Sequence, residues 1–190
     1  MSLTGVLRAL TLLLHATALL AWPLAAQAGD VSLQLQPGFA VPLSAPSQGL
    51  DIGSAASLQA FLGLGRHLDV EIGVGFIGLP MSSAQLSSLS GLASTYGAGL
   101  RLRGPRDQRS FLGASPWVDA EALYLRAGRL EGTGFAAGAG LAFPVGGARK
   151  FWLGPFVRYL EIVRPDRTDP DHRDLRTLFA GVTFEIVLNH

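Results

Sequence analysis

From residue 30 onward the chain alternates apolar and polar side chains with a period of two. Leu68, Val70, Ile72, Val74 and Phe76 are interleaved with His67, Asp69, Glu71, Gly73 and Gly75. Leu178, Ala180, Val182, Phe184, Ile186 and Leu188 are interleaved with Thr177, Phe179, Gly181, Thr183, Glu185 and Val187. Successive side chains of a β-strand point to opposite faces, so such runs predict strands with one apolar face. Weaker versions recur over Val31–Phe39, Ala56–Leu64, Tyr96–Arg103, 115–126, Gly134–Phe143 and Leu153–Tyr159. Together they predict eight strands of about ten residues, a length that crosses a bilayer at a tilt.

The connecting segments fall into two alternating sets. Gly65–Arg66, Gly104–Gly113 and Pro144–Lys150 are short to medium and rich in Gly or Arg. Pro42–Ile52, Pro80–Ala93, Ala127–Glu131 and Arg164–Asp174 form the other set, three of them 11 to 14 residues long. Short turns on one side and longer loops on the other are expected of a bacterial outer-membrane barrel whose two termini lie in the periplasm.

An eight-stranded meander can also be a soluble, lipocalin-like cup, and the faces decide between them. One face is nearly all Leu, Val, Ile, Phe and Ala across every strand; the other carries Gly, Ser, Thr, Gln and charges. Apolar residues turned to lipid, with a lumen packed by small and polar side chains, account for both faces. This reading also uses the 24 glycines, which would each cost about 1 kcal/mol relative to Ala inside a helix. The expected architecture is all-β: an eight-stranded antiparallel up-and-down transmembrane β-barrel. On the polar face fall Asp69, Glu71, Arg101, Arg103, Asp119, Glu121, Arg158, Arg176 and Glu185. Charges of both signs in a narrow lumen are expected to pair, because an unpaired buried charge is costly. Asp69 and Glu71 are placed to meet Arg101 and Arg103, as are Asp119 and Glu121. Pairing of this kind favours a structural plug over an ion path gated by rearranging pairs.

Residues 1–28 read as a secretory signal peptide rather than structure. Arg8 precedes the apolar run Ala9–Leu20, and Ala26-Gln27-Ala28 supplies small residues before a cleavage site at Gly29. A retained membrane anchor is the alternative, since the uncharged stretch is just long enough to span. Removing 28 of 190 residues leaves 162, with 14 basic side chains against 14 acidic ones. A neutral chain lacks the basic face that nucleic-acid binding requires. With no cysteine, disulfides, thiolate metal sites, thiol nucleophiles and a lipidated cysteine are excluded. No cofactor is expected.

The chain resembles the eight-stranded family that includes the transmembrane domain of outer membrane protein A. The resemblance covers roughly residues 30–188 and rests on the leader, the strand count, the loop alternation and the lumen charges. It also rests on a last strand reading Leu178-Phe179-Ala180-Gly181-Val182-Thr183-Phe184-Glu185-Ile186. That strand is similar to the insertion signal read by the barrel assembly machinery. Such signals usually finish on an aromatic residue, whereas this one finishes Val187-Leu188-Asn189-His190. The resemblance implies residence in the outer membrane, contact with its lipid and lipopolysaccharide, and a monomer.

Some small barrels are enzymes with a His beside Ser, Asp or Glu near the outer rim. Here His67 falls at a periplasmic turn and His190 at the terminus, leaving His172 beside Asp171 and Asp174. Nothing fixes that His or a nucleophile near it, so catalysis is not expected. The same loop holds Asp166, Asp169, Asp171 and Asp174 with Arg164, Arg167 and Arg173. It reads either as a solvated zwitterionic loop or as a contact for divalent ions or lipopolysaccharide phosphates. Leu86, Leu89 and Leu92 sit at helical spacing in the Pro80–Ala93 loop, which reads as a short helix, an apolar patch or a Ser-rich coil. Trp117, Trp152, Tyr124 and Tyr159 are expected near strand ends at the headgroup level, with lumen packing open for the two tryptophans. Three functions follow: a structural or interaction barrel, which is favoured; a narrow pore; and a lipid A-modifying enzyme.

Overall fold

The period-two runs form eight antiparallel strands in a computed structural model that describes residues 29–43, 52–78, 92–106, 113–127, 130–163 and 175–188. The strands are β1 (Val31–Pro42), β2 (Gly53–Gly63), β3 (Leu68–Gly78), β4 (Leu92–Arg103), β5 (Ser115–Ala127), β6 (Leu130–Val145), β7 (Phe151–Val163) and β8 (Leu175–Val187). Each pairs with its neighbours in chain order, and β8 returns to pair with β1, closing the barrel. Closure matters because an open edge facing hydrocarbon would leave backbone N–H and C=O groups unpaired. The expected signal peptide lies outside the described residues.

Both described ends of the chain, at Gly29 and Leu188, lie at one end of the barrel, here the near end. The turns 64–67 and 146–150 and the β4–β5 connection also lie there. Three of the far-end connections, 43–52, 79–91 and 164–174, are longer in the sequence than the two near-end turns, and the near-end connection 104–114 matches them in length. The segment expected as a loop over Ala127–Glu131 shrinks to positions 128–129, because β5 and β6 pair as far as Ala127↔Leu130. The Pro80–Ala93 loop is shorter than expected at its end. Leu92 and Ala93 belong to β4 and pair with Gly78 and Ile77, which removes Leu92 from any helical series.

Burial follows the alternation but inverts the order of a soluble protein. Leu35, Phe39, Ile72, Phe76, Leu100, Val118 and Phe184 are exposed on the outer wall, while Gln34, Glu71, Arg101 and Thr183 are buried inside. An exterior this apolar, carried by every strand, suits lipid and not water. The lumen is not small and polar throughout, as the alternation had implied. Phe61, Trp117, Trp152, Phe156 and Phe179 point inward and are buried. Of the two placements open for the tryptophans, lumen packing is the one the structure adopts. Tyr124 is on the outer wall, where it pairs across the ladder with Tyr96. Tyr159 stacks at a tilt on Phe135, 6.1 Å between centroids.

Glycines make the room these side chains occupy. A Cβ at Gly138 would stand 2.6 Å from Asp119 Oδ1 and 3.2 Å from Arg158 Nε. At Gly140 it would stand 2.5 Å from the Trp117 ring and 2.8 Å from the Pro155 carbonyl oxygen. Gly147, in the near-end turn, meets nothing within 4 Å. Gly140→Ala is therefore expected to destabilise the barrel by about 1–3 kcal/mol through overpacking. Gly147→Ala should be neutral in the same urea-unfolding series, and equal midpoints for the two would refute the packing assignment.

A candidate functional site in the barrel lumen

Pairing register decides which inward charges can meet. Asp69 lies opposite Arg101, and Arg101 opposite Asp119, so β3, β4 and β5 bring three charges into one row. On the far side of β6, Arg158 of β7 continues that row through Gly138. The glycine leaves the space through which Arg158 reaches β5. Its Nη2 lies 2.6 Å from Asp119 Oδ2, and its Nη1 donates to Glu121 Oε1. With the Gln59 carboxamide turned so that its oxygen faces Arg158, both Nη atoms also donate to it, at 2.7 and 2.8 Å. One guanidinium thus ties β7 to β5 and β2.

Arg101 is the second hub. It donates to Gln34 of β1 and contacts Asp119 Oδ2 at 3.3 Å. Its guanidinium carbon lies 3.7 Å from the Phe61 ring centroid and 4.3 Å from that of Trp117. Cation–π contact of this kind gains when both groups are out of water. Gln34 in turn donates to Thr183 of β8, carrying the network across the β1–β8 seam. Arg103 pairs with Asp69 at 2.9 Å and with Asp30 at 3.8 Å. Glu71 is fully buried beside these groups, and neither of its carboxylate oxygens has a hydrogen-bond partner among the described residues. It therefore does not meet Arg101 or Arg103 through a hydrogen bond, and the partner of Glu121 is Arg158.

Arg176 was expected in this lumen and is on the outside. Its side chain is half exposed and pairs with Glu161 at 3.1 Å, while Tyr159 donates to the same carboxylate at 2.6 Å. The reason is parity: Arg176 shares its phase with Leu178 and Ala180, so the outward face of β8 carries it too. Arg126 and Glu131 make a similar exposed pair at 4.0 Å near the far end of β5 and β6.

Arg106 was not anticipated, because it follows β4 and obeys no strand phase. It turns back under the near end, pairs with Glu185 and stands 5.2 Å from the Trp152 ring centroid. Its carbonyl oxygen accepts from Arg149 Nη1 at 2.8 Å, and the Arg149 carbonyl oxygen accepts from Trp152 Nε1 at 2.8 Å. These bonds fasten the β4–β5 and β6–β7 connections together beneath the lumen. His67 bonds the Arg103 carbonyl oxygen through Nδ1 at 3.1 Å, also at the near end.

The loop residues Arg164, Asp166, Arg167, Asp169, Asp171, Arg173 and Asp174, and His172 among them, lie outside the described residues. Among the described residues no group of His, Asp or Glu is arranged to hold a metal ion.

The closed eight-stranded topology matches known structures. The chain superposes on Neisserial surface protein A with a TM-score of 0.62 at 16% identity, covering 85% of this chain and 99% of that one. The fold is that of a small outer-membrane β-barrel. Looser likenesses to other outer-membrane-type barrels include the attachment invasion locus protein Ail of Yersinia pestis, with a TM-score of 0.44 at 13% identity over 83% of this chain and 99% of Ail. The outer membrane protein AlkL gives a TM-score of 0.41 at 14% identity over 85% of this chain and 91% of AlkL. No protein-family model and no curated protein matches the sequence.

In an outer-membrane-type barrel this narrow, removing one partner of the hub strands the others. Arg158→Ala leaves Glu121 without the cation hydrogen-bonded to it and removes one of the two arginines that Asp119 pairs with among the described residues. The expected cost is about 3–5 kcal/mol, read as a lower urea midpoint of the folded form in detergent. Arg158→Lys supplies charge without the fork and should recover only part of it; full recovery by Lys would show that the two-pronged geometry is not what matters.

Proposed function

We propose that this chain is an integral protein of the bacterial outer membrane with a structural or surface-interaction role and a closed lumen. The observation that carries the reading is the network centred on Arg158 and Arg101, which crosses the interior from β7 to β5, β4 and β1. Ions need a continuous wet path, and here the path is occupied by buried side chains bonded to opposite walls. Below them Arg106, Glu185 and Trp152 fill the near end.

Export through a cleaved leader, insertion by the barrel assembly machinery and a monomeric state complete the proposal. The near end, with two short turns and both described chain ends, faces the periplasm; the far end, with the connections 43–52, 79–91 and 164–174, faces outward. Outer-membrane lipid surrounds the apolar wall. The Asp- and Arg-rich segment 164–174, which lies in the chain between Glu161 and Arg176, is suited to lipopolysaccharide phosphates bridged by arginine or divalent ions. No catalytic role is assigned.

Three measurements bear on the reading. Detergent-folded protein is expected to migrate differently on gels before and after boiling, and to fractionate with outer membranes. Reconstituted into planar bilayers, it should show conductance at background; discrete channel openings would replace the structural role with the narrow pore. Lipid A mass spectra should be unchanged on overexpression, and a new mass would restore the enzyme reading.

A further inference from the structure

Beyond the charged network, the far half of the lumen is lined differently. Every strand sends an apolar side chain inward there. Ile77 of β3, Leu123 and Leu125 of β5, Leu160 and Ile162 of β7 and Phe179 of β8 are all buried. The intervening strands contribute alanine: Ala40 of β1, Ala55 of β2 and Ala136 of β6 are buried, and Ala93 of β4 packs against them. Large residues on four strands thus face small ones on the other four, which is how a narrow barrel fills its bore. Phe179 also packs edge to face on Phe156, 4.8 Å between centroids. Between this tier and the charges lies a void of about 20 Å³ bounded by Ser57, Gln59, Thr95, Glu121, Leu123 and Arg158.

We infer that this apolar tier is by itself a seal between the lumen and the far side of the barrel. The inference rests on the closed, outward-facing reading above and adds which residues close it. A hydrophobic constriction excludes water, and with it ions, without needing any charge to pair. Taking a charge through it costs the full desolvation penalty. The ion pairs then lie behind the seal, where they tie the walls together but do not alone keep the lumen shut.

The chain has no cysteine, which allows a direct test with single-cysteine variants in intact cells. Ser57 lies just beneath the tier and donates to Gln36 at 2.9 Å. Leu43, exposed just past the far end of β1, serves as the outside reference. A membrane-impermeant, charged thiosulfonate added to the cells should label Leu43→Cys and leave Ser57→Cys unlabelled. Ser57→Cys should stay unlabelled when the pair behind the seal is removed by Glu121→Ala with Arg158→Ala. It should become labelled when the tier is opened by Phe179→Ser, or by Leu123→Ala where the first variant does not reach the membrane. Labelling of Ser57→Cys in the otherwise native chain or in the charge-deleted variant would overturn the seal, as would silence in the folded, tier-opened variants. Failure to label Leu43→Cys would instead refute the proposed outward placement of the far end.

Discussion

Eight strands closed on themselves leave an interior only wide enough for side chains to fill, and the rest of the molecule answers to that limit. Each inward side chain has to share its level with residues from the opposite wall. The sequence meets this by pairing bulk with its absence. Gly138 stands between Asp119 and Arg158, and Gly140 lies against Trp117. At the far end the same device appears as Ala40, Ala55, Ala93 and Ala136 opposite Ile77, Leu123, Leu160 and Phe179. The high glycine content follows from lumen width as well as from turns.

The narrow interior also selects the cation. Fourteen of the 15 basic residues are arginine. A planar guanidinium can lie against rings, as that of Arg101 does over Phe61 and Trp117, and it can divide its donors among several acceptors, as Arg158 does among Asp119, Glu121 and Gln59. A lysine ammonium is a more strongly hydrated point charge and does neither as well. Burying these ions carries a desolvation cost that their mutual attraction only partly repays. Their clearest structural consequence is register: Arg103 reaches Asp69 and Arg101 reaches Asp119 only if β3, β4 and β5 pair as they do. A one-residue slip would turn each of them toward lipid.

How much of this was legible in the sequence depended on contrast between the two faces. Where one face was apolar and the other charged or glycine, as in β3 and β4, strand and phase were legible, but the partner of Glu71 was not. Arg176 shows the limit, since a charge at a strand end was assigned to the lumen against the phase of Leu178 and Ala180. In β5 and β7 the sequences Ala122-Leu123-Tyr124-Leu125 and Phe156-Val157 are apolar on both faces. Nothing in such a run separates wall from lumen, and the far-end tier was invisible for that reason. Arg106 was hidden differently, by lying in a connection where no periodicity applies. Glu161, which holds Arg176, and Tyr159, which donates to Glu161, both follow the outward phase of Leu153 and Val157 on β7.

The two halves of the lumen therefore differ in what they demand of the sequence. The near half is held largely by directional bonds, so its paired ions depend on named partners: Arg103 on Asp69, Arg158 on Glu121, Arg106 on Glu185. Changing one member leaves a buried charge behind, and the cost cannot relax away. The far half is held by volume. Leu, Ile and Phe there can exchange for one another with repacking, provided the total bulk and the small residues facing it are kept. A barrel built this way fixes its strand register at the end where Gly29 and Leu188 lie and leaves the opposite end free to vary in detail. That opposite end is also where three of the four longest connections begin.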